Sequence, residues 1–139
     1  MQRILLVDDE PTIREGLRER FEREGFAVST AGSAGAALDL LLGRQGPALA
    51  ADCLVLDLGL PDGDGLDLLA CARQRFPVGG VVLSGFHAEE LQARALVAGF
   101  AAYLVKPISG DALREAIWKS EACRSGIAGE SREQPSATA

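Results

Sequence analysis

Five polar side chains in this sequence stand where apolar runs end, and their types suit phosphate and metal chemistry. Asp8 and Asp9 follow "RILLV", Asp57 closes "CLVLD", Ser84 closes "GVVLS" and Lys106 comes directly after "AYLV". Carboxylates brought together repel: a like-charge pair ~4 Å apart costs about 4 kcal/mol at an effective dielectric near 20. Gathering Asp8, Asp9 and Asp57 therefore calls for a cation. Mg²⁺ fits, because it binds through one or two carboxylates, keeps several waters and accepts phosphate as a further ligand. Lys106 points the same way. Twelve of the 14 basic residues are arginine, and Lys106 and Lys119 are the two lysines. A compact ammonium at position 106 suits a phosphate oxygen or a single carboxylate.

These residues can cooperate only if the chain brings the ends of its apolar runs together. Five runs read as strands: "RILLV", "AVSTA" (27–31), "CLVLD" (53–57), "GVVLS" (80–84) and "AYLV" (102–105). Between them the apolar period becomes helical. Ile13, Leu17 and Phe21 share one face, Ala34, Leu38, Leu41 and Leu42 a second, and Leu66, Leu69 and Ala70 a third; Leu91 with Ala95, and Leu113 with Ala116 and Ile117, complete the set. Pro11 suits a first helical turn, Asp64 and Ser109 suit N-caps, and Gly25 and Gly99 suit left-handed C-terminal caps. Five βα units with strands apolar on both faces predict an α/β fold, a parallel sheet covered on both sides by right-handed crossovers. Ligands of such a sheet bind beyond the carboxyl ends of its strands, which is where the five polar residues fall.

The chain has 139 residues, 47% of them hydrophobic, enough for one domain with a substantial core. A net charge of −6 argues against direct nucleic acid binding, which needs clustered Lys and Arg. No segment resembles a secretory leader and no apolar run is long enough to span a bilayer, which predicts a cytoplasmic protein with no membrane partner. Three cysteines without C-x-x-C spacing suggest neither a disulfide framework nor a zinc site, and Cys53 and Cys71 read as small core hydrophobes. The segment "DGDGLD" fails as a calcium loop, since the position that requires Gly is Asp67; Asp64 and Asp67 read instead as an N-cap and a first-turn acid. Nucleotide-binding glycine motifs are absent, and the lone His87 reads as a solvated loop residue. The pattern places one domain over 1–123 and a disordered tail rich in Gly, Ser, Glu and Pro over 124–139.

Taken together, "VDDE", "LVLDLGLPDGDG", "VVLSG" and "YLVKP", in this order and spacing, closely resemble the receiver domain of two-component response regulators, from about Arg3 to Ser120. The resemblance implies a flavodoxin-like (βα)5 fold with strand order 2-1-3-4-5, phosphorylated on aspartate by a sensor histidine kinase or a phosphotransfer protein. On the matching positions, Asp57 would be the phosphoacceptor. Asp9, Asp57 and the backbone carbonyl of Gly59 would ligate Mg²⁺ directly, while Asp8 would act mainly through metal-bound water. Ser84 and Lys106 would bind the phosphoryl group, and Tyr103 would be the aromatic that turns inward on activation. A cis peptide bond is implied between Lys106 and Pro107.

The departures are mild. Ser84 stands where Thr is commoner, and Gly85 where Ala is. Gly59 and Phe86 occupy the positions that flank the acyl phosphate and tune its lifetime; neither can orient a water by hydrogen bonding, so hydrolysis is expected to be slow. The resemblance also implies a signalling domain that catalyses only its own phosphorylation and dephosphorylation, with output to a downstream protein or a second copy through the face of the fourth helix, fifth strand and fifth helix. Trp118, about 140° from Leu113 at ~100° per residue, would lie partly exposed on that face. The sequence is compatible with a stand-alone receiver, slightly favoured by the initial Met and the tail, or with the receiver part of a longer protein. A second class of function is a Mg²⁺-dependent phosphatase or phosphotransferase with an aspartyl-phosphate intermediate. The haloacid-dehalogenase type needs a second Asp two residues after the nucleophile, where this chain has Gly59.

Overall fold

Ten elements alternate along the chain: β1 (Arg3–Val7), α1 (Pro11–Arg23), β2 (Ala27–Ala31), α2 (Ala34–Leu42), β3 (Cys53–Asp57), α3 (Asp67–Arg73), β4 (Gly79–Ser84), α4 (Glu89–Val97), β5 (Ala102–Val105) and α5 (Gly110–Ala122). The structure is a computed structural model and describes residues 2–44, 46–57, 65–75, 77–85 and 89–122. The expected tail, the Asp64 cap, His87 and the positions of Gly59 and Phe86 lie outside the described residues.

The strands form one parallel sheet in the order β2-β1-β3-β4-β5, which is the flavodoxin-like receiver topology. Alternation along the central strands feeds two cores. Leu5, Val7, Leu54, Leu56 and Val82 face α2, α3 and α4, where Leu41, Leu69 and Ala95 meet them. Ile4, Leu6, Val55, Val81 and Leu83 face the other way, toward Phe21 of α1 and Leu113 and Ile117 of α5. Each such Leu or Phe removed from water contributes about 1.5–3 kcal/mol, which is why both faces of the sheet are covered.

The local signals hold where the chain reverses. Pro11 opens α1 behind Glu10, whose carboxylate accepts from the Thr12 amide. Ser109 caps α5 by accepting from the Ala112 amide at 3.0 Å. Gly25 and Gly99 adopt φ of 100° and 104°, a region costly for any residue with a Cβ. Among the described residues, no helix is long and apolar enough to cross a membrane.

Three surface assignments differ from the sequence reading. Cys71 is exposed, and Cys53 is buried. The inward stripe of α3 is Leu68, Leu69 and Ala72; at ~100° per residue Cys71 falls about 160° from Leu69, and Ala70 is likewise exposed. Leu66 precedes α3 as its N-terminal flank but is buried all the same. Ile13 is 44% exposed, because α1 turns Phe21 inward and Ile13 lies about 80° away from it on the helix. The residue of the first turns that does share the Phe21 stripe, about 20° from it, is Arg14.

Candidate functional site

Parallel register sets the site. Val7 pairs with Leu56, so Asp8 leaves the sheet level with Asp57 at the end of β3. Asp57 pairs with Leu83 and Ser84 with Val105, which aligns the ends of β3, β4 and β5. The Lys106 amide donates to the Ser84 carbonyl at 2.8 Å, so the chain stays in register one residue beyond β5. One carboxyl-end rim thus carries Asp8, Asp57, Ser84 and Lys106.

The side chains are poorly hydrated. Asp8 is 2% exposed, Asp57 8% and Ser84 1%. Lys106 Nζ donates to Asp57 Oδ2 at 2.6 Å, a short charge-assisted contact. Asp8 Oδ1 accepts from the Glu10 amide at 3.0 Å. Its Oδ2 is buried and, among the described residues, meets no donor. Burial pushes the Asp8 carboxyl up to about 6 from its ordinary 3.8; the Glu10 amide opposes the rise and the neighbouring Asp57 carboxylate adds to it.

A buried carboxylate oxygen without a donor, next to a second carboxylate, is chemistry that a cation completes. The residues therefore fit Mg²⁺, which takes one or two carboxylates and fills its octahedron with water and phosphate oxygens. Asp9 is exposed beside the pair. Among the described residues, no group of three or more metal-ligating side chains is drawn together, and the Gly59 carbonyl lies outside them.

Of the other expected positions, Tyr103 is half-buried against the core of the α2, α3 and α4 side, and the Lys106–Pro107 peptide is cis. Trp118 is 42% exposed on α5. Sequence reasoning missed Arg14, whose Nη1 donates to the Asp8 carbonyl at 2.8 Å. The signal was present as a cation on the inward stripe of α1.

The family model of the response regulator receiver domain matches residues 4–118. This chain belongs to that family. Receiver domains of response regulators are signalling domains of two-component systems. The receiver is 46% identical over 118 residues to the alginate biosynthesis transcriptional regulatory protein AlgB of Pseudomonas syringae pv. tomato, a match covering 84% of this chain and 25% of that one. The chain thus spans about a quarter of the length of this curated relative. Among solved structures it is similar to the response regulator TrrA of Thermotoga maritima in complex with Mg(2+)-BeF, with a TM-score of 0.71 and 30% identity over 86% of this chain and 98% of that one. It is also similar to a response regulator of Burkholderia pseudomallei with a phosphorylated aspartic acid, calcium ion and citrate, with a TM-score of 0.73 and 26% identity over 91% of this receiver and 71% of that chain.

Proposed function

We propose that this receiver accepts a phosphoryl group on Asp57 from the phosphohistidine of a sensor histidine kinase or phosphotransfer protein, in a Mg²⁺-dependent reaction. A carboxylate oxygen of Asp57 attacks phosphorus, the phosphorus–nitrogen bond of the donor breaks, and its electron pair leaves with the imidazole. Bound at Asp8, Asp9, Asp57 and the Gly59 carbonyl, Mg²⁺ would supply charge neutralisation for the phosphoryl oxygens. Lys106 holds Asp57 in place before transfer and pairs with a phosphoryl oxygen after it. Ser84 offers its hydroxyl to a second oxygen. Little covalent chemistry is asked of the protein, so positioning and charge supply most of the rate.

The observation that carries this reading is the 2.6 Å ion pair of Lys106 with Asp57, set at the rim against a second buried carboxylate whose Oδ2 has no donor among the described residues. The phosphorylated aspartate and the Mg(2+)-BeF complex of the two similar structures support it. The test is intact mass after incubation with phosphoramidate and Mg²⁺. The wild type gains one phosphoryl group, and Asp57→Asn gains none, because an amide is a far poorer nucleophile toward phosphorus. Equal labelling of both would remove Asp57 from the role.

The output surface in this proposal is the face of α4, β5 and α5, engaging a downstream protein or a second copy. Phosphorylation adds negative charge and three acceptor oxygens at the rim; drawing Ser84 toward them lets Tyr103 turn inward and reshapes that face. Exposed Leu96 on α4 and Trp118 on α5 give it apolar contact area.

A further inference from the structure

We infer that Arg14 is a positioning residue for the cation site: its guanidinium fixes the Asp8 carbonyl and thereby the direction in which the acid loop presents its oxygens. The inference rests on the Mg²⁺-dependent reading above and adds to it a residue on α1.

Four contacts hold this short loop. The Asp8 amide donates to the Ala31 carbonyl of β2 at 3.1 Å. The Asp8 carbonyl accepts from Arg14 Nη1 at 2.8 Å. Asp8 Oδ1 accepts from the Glu10 amide at 3.0 Å, and the Glu10 carbonyl accepts from the Arg14 amide at 2.8 Å. Both flanks of the Asp8 residue are thus tied, one to the sheet and one to α1. Without Arg14 the carbonyl side would lose its tie, and the acid pair could rotate away from a common ligand position.

The neighbourhood makes room for this contact. A Cβ at Gly32, just after β2, would lie 3.2 Å from Arg14 Nη1 and 3.8 Å from Cζ. The guanidinium therefore lies across a residue that has no side chain. Its chemistry also differs from that of its neighbour on the helix. Arg18 is paired with both Glu15 and Glu22, whereas Arg14 forms no ion pair among the described residues and spends its donor on a backbone carbonyl.

Charge and position make opposite predictions here. A fixed positive charge close to a dication disfavours binding, so if Arg14 acted by charge alone, neutralising it would tighten Mg²⁺ binding. If it acts by holding the loop, neutralising it weakens binding, as loss of outer partners of metal ligands does.

The experiment is a calorimetric Mg²⁺ titration of the wild type, Arg14→Met, Gly32→Ala, the double variant and Arg18→Met. Arg14→Met is expected to weaken Mg²⁺ binding about tenfold, the low end for such outer partners. Gly32→Ala keeps every charge and asks the guanidinium to give by only a few tenths of an ångström, so any weakening is smaller and adds nothing in the Arg14→Met background. Arg18→Met removes the same charge from the same helix and leaves the affinity unchanged. Amide exchange of metal-free Arg14→Met rises across residues 7–10 and not across β3 and β4. Tighter or unchanged binding in Arg14→Met, or a Gly32→Ala effect that persists without Arg14, overturns the inference. Should Arg14→Met fail to fold, the neutral and polar Arg14→Gln takes its place with the same outcomes: weaker binding upholds the inference, and tighter or unchanged binding overturns it. A wild type that binds no Mg²⁺ would instead overturn the functional reading itself.

Discussion

The amino and carboxyl ends of the inner strands, the sheet's amino edge and carboxyl edge, each carry a nearly buried carboxylate, and the protein treats them oppositely. Asp52, just before β3 at the amino edge, is 8% exposed. Arg3 meets it with its backbone amide at 2.9 Å and with Nε and Nη2 at 3.2 Å each. The Asp52 amide donates back to the Arg3 carbonyl at 2.8 Å, and its own carbonyl accepts from Gly79. Asp8, just past β1 at the carboxyl edge, is 2% exposed, with one amide on Oδ1 and no donor on Oδ2 among the described residues. Buried polar atoms are almost always satisfied. Asp52 received its cation within the chain and ties the sheet together. Asp8 Oδ2 meets no donor among the described residues, and it is there that the proposed function places an exchangeable Mg²⁺.

Breaking the amino edge should give the largest effect on folding. Arg3→Met takes the side-chain fork from the nearly buried Asp52 carboxylate, which keeps the Arg3 amide; the Arg3 side chain is half-exposed, so the cost comes from the carboxylate oxygens left with fewer donors. The expected result is a drop in Tm larger than that of any exposed ion-pair variant such as Arg18→Met, with Mg²⁺ affinity unaltered. An Arg3→Met protein as stable as the wild type would show that the edges do not differ as described.

The smallest effect concerns the distant face. Beryllofluoride with Mg²⁺, which mimics the phosphoryl group, should change the fluorescence of Trp118 modestly, through repacking around Tyr103. An unaltered spectrum under conditions where beryllofluoride binds would move the output surface away from α5.

Much of this organisation was legible in the sequence. The strand runs matched the observed strands, β4 starting one residue earlier at Gly79, because central strands of a parallel sheet are apolar on both faces and cannot be taken for amphipathic helices. The rim residues were legible for the same reason, as polar types that end such runs. The amino edge was not: Arg3 and Asp52 are 49 residues apart and meet only through the register of β1 with β3. Arg14 was hidden by a pattern that read Ile13 as the start of the inward stripe, while the guanidinium occupies that stripe and reaches a carbonyl. Cys71 was misread because a free cysteine is usually buried, whereas the phase of α3 is set by Leu68, Leu69 and Ala72. Gly59 and Phe86, expected beside the acyl phosphate, lie outside the described residues.

The most direct measurement of the contrast between the edges is thermal unfolding of the wild type and Asp8→Asn over a Mg²⁺ titration at pH 7. The Asp8 carboxyl has its value raised to about 6 when folded, against 3.8 ordinarily. In that window the folded state holds a proton that the unfolded chain has lost, so without metal this group lowers stability as pH rises and leaves a penalty above it. Asp8→Asn removes that penalty and gives the higher Tm in the absence of Mg²⁺, by a few degrees at ~1 kcal/mol; the difference shrinks as pH falls through the window. Mg²⁺ binds the folded state and stabilises it by mass action, more in the wild type than in the variant. The two curves are expected to cross, Asp8→Asn being more stable without Mg²⁺ and the wild type at saturation. A wild-type Tm that does not respond to Mg²⁺, or two curves that rise in parallel, would contradict it.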